Sequence, residues 1–344
     1  MRLRIRTRAS PKGAILIFAL WALAFLSVIA AQLSVAVRQR ITVLERLNAR
    51  IELRYLAQSG ARKAVSLLKS YAKDADFFFA GEGKQLRHNN PLQFSEIKFN
   101  AGKASVLYWD ENNSQEPVRK FGMTDEAAKL NINKAKSGQI DRLLVLGLKM
   151  NEEEAKQLAM ALVDWRSPGD SELTGFYSDE YYANLQFPYR SKEADFETWD
   201  ELLLVKGMNE GILKQMRRFF TIYGDGRINI NTVPRQVMAS IGLTDDLAGK
   251  ILAVRRGPDG VDSTADDYIF TKPYDVAGEL GRIVDLKAEE TEQIDAWNIS
   301  GGLSVESRVY SIESEAVLDK SQEKKVILCV FNIKDDKIEY WREE

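Results

Sequence analysis

At 344 residues, with 45% hydrophobic and 28% charged side chains, the chain can build a sizeable core and more than one folded unit, and its composition excludes disorder. Its 48 basic and 50 acidic residues leave a net charge of −2, so no overall field argues for nucleic acid or acidic substrates. The single cysteine, Cys329, excludes an intrachain disulfide and a cysteine metal cluster, and the single histidine, His88, excludes histidine triads and multi-histidine zinc sites.

The first thirteen residues carry Arg2, Arg4, Arg6, Arg8 and Lys12 and no acid. Residues 14–37 then contain no charged side chain, long enough for a helix that crosses a bilayer, which takes about 20 apolar residues. The basic flank keeps the amino terminus in the cytoplasm and sends the rest across the inner membrane, in a single pass, into the periplasm. Three readings compete for this segment: a cleaved signal peptide with small residues near Ala22 and Ala24, an uncleaved anchor, or a leader cut between Gly13 and Ala14. Past Val37 the apolar positions recur at Ile41, Leu44, Ile51 and Tyr55 with arginines and glutamates between them. That spacing predicts an amphipathic continuation of the same helix. With no proline inside and the first later glycine at Gly60, a helix from Ala14 to about Tyr71 would be roughly 85 Å long at about 1.5 Å per residue.

Beyond the helix, residues 94–99 and 104–110 alternate as strands joined near Ala101-Gly102. A mostly helical region follows, and strand character returns at 308–314, 325–333 and 337–341. Within the helical region two segments read alike, Leu130-Asn131-Ile132-Asn133 and Ile228-Asn229-Ile230-Asn231. Each leads through a glycine-bearing apolar turn, Leu146-Gly147-Leu148 or Ile241-Gly242-Leu243, into a further helix. A repeat at this scale predicts duplicated supersecondary units. Their apolar-Gly-Leu turns are similar to helix-hairpin-helix motifs, in which backbone N–H groups meet a phosphate. Glu152, Glu153, Glu154, Asp245 and Asp246 at the following helix starts suit the helix dipole and would repel a phosphodiester, so nucleic acid is not the expected partner. The four asparagines are expected to bond backbone at turns.

Two acidic loops remain. Residues 257–267 hold Asp259, Asp262, Asp266 and Asp267 with Gly257 and Gly260, a set of oxygen donors that suits calcium without the spacing of an EF-hand. Asp164, Asp170 and Glu172 form a weaker cluster. No P-loop, Gly-x-Ser-x-Gly or His-Glu-x-x-His pattern occurs, so an enzyme is not expected.

The basic leader, Lys12-Gly13, the uncharged run and the amphipathic extension together resemble type IV pilins and type II secretion pseudopilins. Two further stretches, Phe196 to Met208 with its Val205-Lys206-Gly207 and Gly226-Arg227-Ile228-Asn229-Ile230-Asn231-Thr232-Val233-Pro234, resemble motifs of the K-type minor pseudopilin family of type II secretion systems. The resemblance implies prepilin-peptidase cleavage between Gly13 and Ala14 with N-methylation of Ala14. It also implies assembly with I- and J-type minor pseudopilins at the tip of a periplasmic pseudopilus, and calcium in the acidic loop. Phe18 stands where most members of the superfamily place a glutamate, a departure shared with the K type and consistent with a place at the tip. The implied fold is α+β: a pilin-like long N-terminal helix packed on an antiparallel sheet, with a large helical domain containing helix-hairpin-helix-like repeats inserted in the sheet. The corresponding segments are a leader at 1–13, a membrane half-helix at 14–37, a periplasmic half-helix at 38–72, first sheet part at 73–134, inserted domain at 135–300 and C-terminal strands at 301–344. Two alternatives stay open: a membrane-anchored helix-hairpin-helix DNA-binding or DNA-uptake protein, and a type IV pilus minor pilin.

Overall fold

The computed structural model describes residues 12–71, 79–80, 85–86, 90–110, 118–167, 178–260, 264, 266–319 and 323–344. Residues 1–11 of the leader, His88, Asp170, Glu172 and Asp262 lie outside the described residues. The chain divides into two units, Met1–Tyr55 and Leu56–Glu344.

Helix α1, Lys12–Tyr71, is a single uninterrupted element of 60 residues. In the first unit its side chains are almost all exposed, including Ile15, Phe18, Trp21, Phe25, Leu33, Ile41 and Ile51. It is the one helix among the described residues long and apolar enough to cross a membrane, with a mean hydropathy of 2.3 over its most apolar window and none of that window buried.

In the second unit the last turns of α1 bury Ala57, Ala61, Ala64 and Leu68, a stripe at helical spacing, against a sheet. After the short pair β1 (Phe79–Ala80) and β2 (Gln85–Leu86) come α2 (Pro91–Phe94), β3 (Ile97–Lys98), β4 (Gly102–Asp110), β5 (Val118–Phe121) and β6 (Thr124–Asp125). The sheet is completed from the C-terminal end by β11 (Val309–Leu318), β12 (Lys324–Asn332) and β13 (Lys337–Glu343), in the order β13-β12-β11-β4-β3, all antiparallel, with β5 on β4 and β6 on β11. Strict alternation along β11 sends Ile312, Ser314 and Ala316 to the buried face, where Ser314 lies opposite Val106 and Ile327. Cys329 is buried on β12, as its apolar run implies, and burial pushes its thiol up to about 12.

Phe94 departs from the strand expected over 94–99. Asn90 accepts from the Gln93 N–H and Pro91 takes the first helical position, so a short helix forms first and only Ile97–Lys98 reach the sheet.

Between β6 and β11 the chain leaves the sheet for β7 (Leu130–Asn131), α3 (Ser137–Leu148), α4 (Glu152–Arg166), α5 (Ser178–Ala183), α6 (Glu210–Phe219), β8 (Phe220–Thr221), β9 (Ile228–Asn229), α7 (Arg235–Ser240), α8 (Asp245–Arg255), α9 (Val276–Gly281), α10 (Ala288–Ile299) and β10 (Leu303–Ser304). These helices share one apolar core running from Leu130 through Trp165, Phe220 and Met238 to Trp297, and the sheet contributes Val309 and Val330 to it.

Helix α1 approaches the sheet closely at Gly60. A Cβ there would lie 2.3 Å from Ser314 Oγ and 3.0 Å from Ala104 Cβ. Gly60→Leu is therefore expected to destabilise the second unit by about 3 kcal/mol through overpacking. Gly138→Ala, where a Cβ meets nothing within 4 Å, should be neutral or slightly stabilising. Equilibrium urea unfolding of the full chain in detergent measures both.

Candidate functional site

The expected processing and assembly residues all fall on α1. Gly13 and Ala14 lie in its first turn, and Phe18 is 80% exposed, with Trp21 on the same face of the next turn.

Two segments of the helical module, called here its two copies, are closed by the same bonds. In the first copy β7 and β8 lie parallel, Leu130 opposite Phe220 and Asn131 opposite Thr221. In the second, β9 and β10 pair the same way, Ile228 opposite Leu303 and Asn229 opposite Ser304. The first asparagine of each Asn-x-Asn accepts from the N–H of the second, at 2.8 Å for Asn131 and 3.0 Å for Asn229. The second asparagine clamps distant backbone with its whole amide. Asn133 accepts from Phe196 N–H and donates to Phe196 and Ile222 carbonyls. Asn231 accepts from Phe270 N–H and donates to Phe270 and Val305 carbonyls. Two residues on, the carbonyls of Ala135 and Val233 receive the guanidiniums of Arg166 and Arg255, the last residues of α4 and α8. Phe196 and Phe270 are thus equivalent, a correspondence the sequence marks only faintly by the Asp200 and Asp275 that follow at unequal distances. With their amides bonded to backbone on both sides, Asn133 and Asn231 build the fold.

The two helix pairs, α3–α4 and α7–α8, turn differently. Gly242 has φ +107 in the second turn, as a glycine-bearing turn requires. Gly147 instead remains inside α3, where a Cβ would lie 2.9 Å from the Phe219 ring, and Lys149 takes the left-handed position at φ 58. The expectation of a glycine turn at Gly147 is corrected by this packing. Asn151 and Thr244 cap α4 and α8 by accepting from Glu153 and Leu247 N–H groups. Asp245 pairs with Arg235 and Asp246 with Lys287. Both helix starts are occupied by the protein's own groups, which leaves a phosphate little to bind.

Asp125 and Glu126, unremarked in the sequence, join the sheet to both copies. Asp125 accepts from Asn229 Nδ2 at 2.9 Å, Thr232 Oγ1 at 2.6 Å and Ala127 N–H at 2.8 Å. Burial raises its carboxyl above the usual range, against hydrogen bonds from Ser307, Thr232, Asn229 and Ala127 that lower it. Glu126 accepts from Thr221 of β8, Ser311 of β11 and Lys129. A cavity of about 290 Å³ opens beside them, lined by Tyr223, Arg227, Glu306, Arg308 and the β12–β13 turn. Around it Glu126 pairs with Lys129, Asp225 with Arg227 and Glu306 with Arg308.

In the acidic loop, Asp266 accepts from Asp259 N–H at 3.1 Å and Thr264 Oγ1 at 2.7 Å, and Asp267, buried, lies 3.3 Å from the same hydroxyl. Gly257 has φ +62, with Asp266 backbone 2.5 Å from where a Cβ would sit. The donors are all hard oxygens, which suits calcium by type, but no three carboxylates converge among the described residues.

Comparison with known proteins gives two similarities. Residues 118–225, from β5 through the first copy, match the family described as type II secretion system (T2SS), protein K. No curated protein matches the sequence. Among solved structures, a chain of the GspK-GspI-GspJ complex from the enterotoxigenic Escherichia coli type 2 secretion system shares the fold. It is 14% identical, with a TM-score of 0.58, over 88% of this chain and 99% of that chain.

The stability of the clamps is directly testable. Asn231→Ala leaves the buried Phe270 backbone groups and the half-buried Val305 carbonyl unsatisfied and is expected to cost about 3 kcal/mol. Asn184→Ala, on the surface, should stay within about 0.5 kcal/mol. Urea midpoints of the two variants decide it.

Similarity to the type II secretion system protein K family thus rests on residues 118–225, and the likeness to the solved structure extends over most of the chain as a shared fold.

Proposed function

We propose that this chain is a minor pseudopilin that, with I- and J-type subunits, initiates or caps the periplasmic pseudopilus and so supports export across the outer membrane. The observation that carries the reading is the protein K match at 118–225 on a chain whose first helix is apolar and exposed. The role is structural and needs no catalysis. The leader stays cytoplasmic, residues 14–37 cross the inner membrane, and the bulk is periplasmic. Prepilin peptidase cuts between Gly13 and Ala14, and Ala14 is N-methylated. Phe18 supplies no carboxylate to neutralise a neighbour's amino terminus in the membrane, where an unpaired charge is costly, so the subunit suits an end position. The module at 135–300 is read as a domain inserted in a pilin-like sheet, with helix pairs that resemble helix-hairpin-helix units in outline while their capped, acidic starts favour protein packing over DNA.

Intact-mass measurement of the mature chain from membranes tests this reading. The expected species begins at N-methylated Ala14; a chain starting at Met1, or cut near Ala24, would overturn it.

The loop at 257–267 is proposed to take calcium through Asp259, Asp262, Asp266 and Asp267, which would pin the loop and perform no chemistry. Calcium at about a hundredfold over its dissociation constant should add roughly 2.7 kcal/mol to stability. Asp259→Asn combined with Asp262→Asn should abolish the gain. Equal melting temperatures in calcium and in chelator would remove calcium from the account.

A further inference from the structure

The charges on α1 beyond its apolar run are arranged as a solitary helix would not use them. From 38 to 54 the helix carries Arg38, Arg40, Glu45, Arg46, Arg50, Glu52 and Arg54. Side chains three or four residues apart are neighbours on a helix surface. No acid in this stretch lies three or four residues from a base. The only charged neighbours at that spacing are like-charged, Arg46 with Arg50 and Arg50 with Arg54. Arg46, Arg50, Glu45 and Glu52 are exposed, and among the described residues none of the four makes an ion pair.

The same turns expose Leu44 at 58%, Leu47 at 49% and Ile51 at 51%. Arg46 and Arg50 precede Leu47 and Ile51, while Glu45 and Glu52 follow Leu44 and Ile51. Adjacent residues lie about 100° apart around a helix, so bases border the apolar stripe on one side and acids on the other. A lipid surface accounts for part of this only. Arg38 and Arg40 follow Val37 at once and reach headgroup depth. On an upright helix Arg46 and Arg50 stand about 14 and 20 Å past Val37, at about 1.5 Å per residue, beyond the ~8 Å screening length of physiological salt.

We propose that Arg46 and Arg50 form the contact edge for a parallel helix of a partner subunit that presents carboxylates one turn apart at the same height. Leu44, Leu47 and Ile51 pack between the two helices. This rests on the pseudopilin reading, because a partner inserted in the same membrane with the same orientation runs parallel to α1. It adds the chemistry of recognition: an acidic-edged helix, selected by charge and held by the apolar stripe.

The test co-purifies the full-length chain with its I- and J-type subunits in detergent at low and high salt. Wild type is expected to retain partner at low salt and lose it as salt rises. R46E/R50E should recover at least about tenfold less partner at low salt, R46K/R50K should behave as wild type, and R38E/R40E should lose little. Unchanged helical circular dichroism of each variant shows that the helix itself survives. Recovery of partner by R46E/R50E equal to wild type overturns the proposal, as does loss by R38E/R40E that matches it and follows added anionic lipid. If wild type recovers neither subunit at any salt, the pseudopilin reading itself fails.

Discussion

The folded unit from Leu56 onward depends on two adjacent buried acids. Asp125 and Glu126 sit where β6 leaves the sheet, and donors reach them from Ala127, Lys129, Thr221, Asn229, Thr232 and Ser311. A carboxylate removed from water without such bonds is too costly to keep. The cost is offset only when all these segments are in place together, so the sheet, the end of the first helical copy and the start of the second are locked by one requirement. Neither copy can dock slightly wrong, because a missed donor leaves an acid buried and unsatisfied.

The two alike segments show how such a module can vary and still fold. What the two copies share is confined to a few positions: the Asn-x-Asn turn, the clamped phenylalanine, the arginine returning to the carbonyl two residues on, and the parallel two-residue bridge. Helix lengths differ, 12 residues for α3 against 6 for α7, and so do the turns, at Lys149 and Gly242. Backbone polar groups inside a core must be paired, so the amides that pair them are held while the apolar filling drifts. α1 follows a different logic. Its first-unit surface is apolar and then charged, and among the described residues Glu45, Arg46, Arg50 and Glu52 make no ion pair there.

The general plan was legible because it depends on local periodicity. The uncharged run, the 3–4 spacing past Val37, the alternation over 104–110 and 325–333 and the repeated Asn-x-Asn are each visible within a few turns of chain. Phe94 was misread because Asn90 and Pro91 nucleate a helix that the following alternation hides. Gly147 was misread because a glycine demanded by a turn and one demanded by the Phe219 ring look the same in sequence.

By itself the sequence determined the membrane-length helix, the α+β class, the repeated Asn-x-Asn segments and the family resemblance, since spacing and composition fix which faces are apolar. Tertiary structure alone decided that Asp125 and Glu126 are buried, that Asn133 and Asn231 clamp Phe196 and Phe270, and that Gly60 seats α1 on Ser314. Each of these joins residues tens to hundreds of positions apart, and their chemistry appears only when burial removes water as the competing partner.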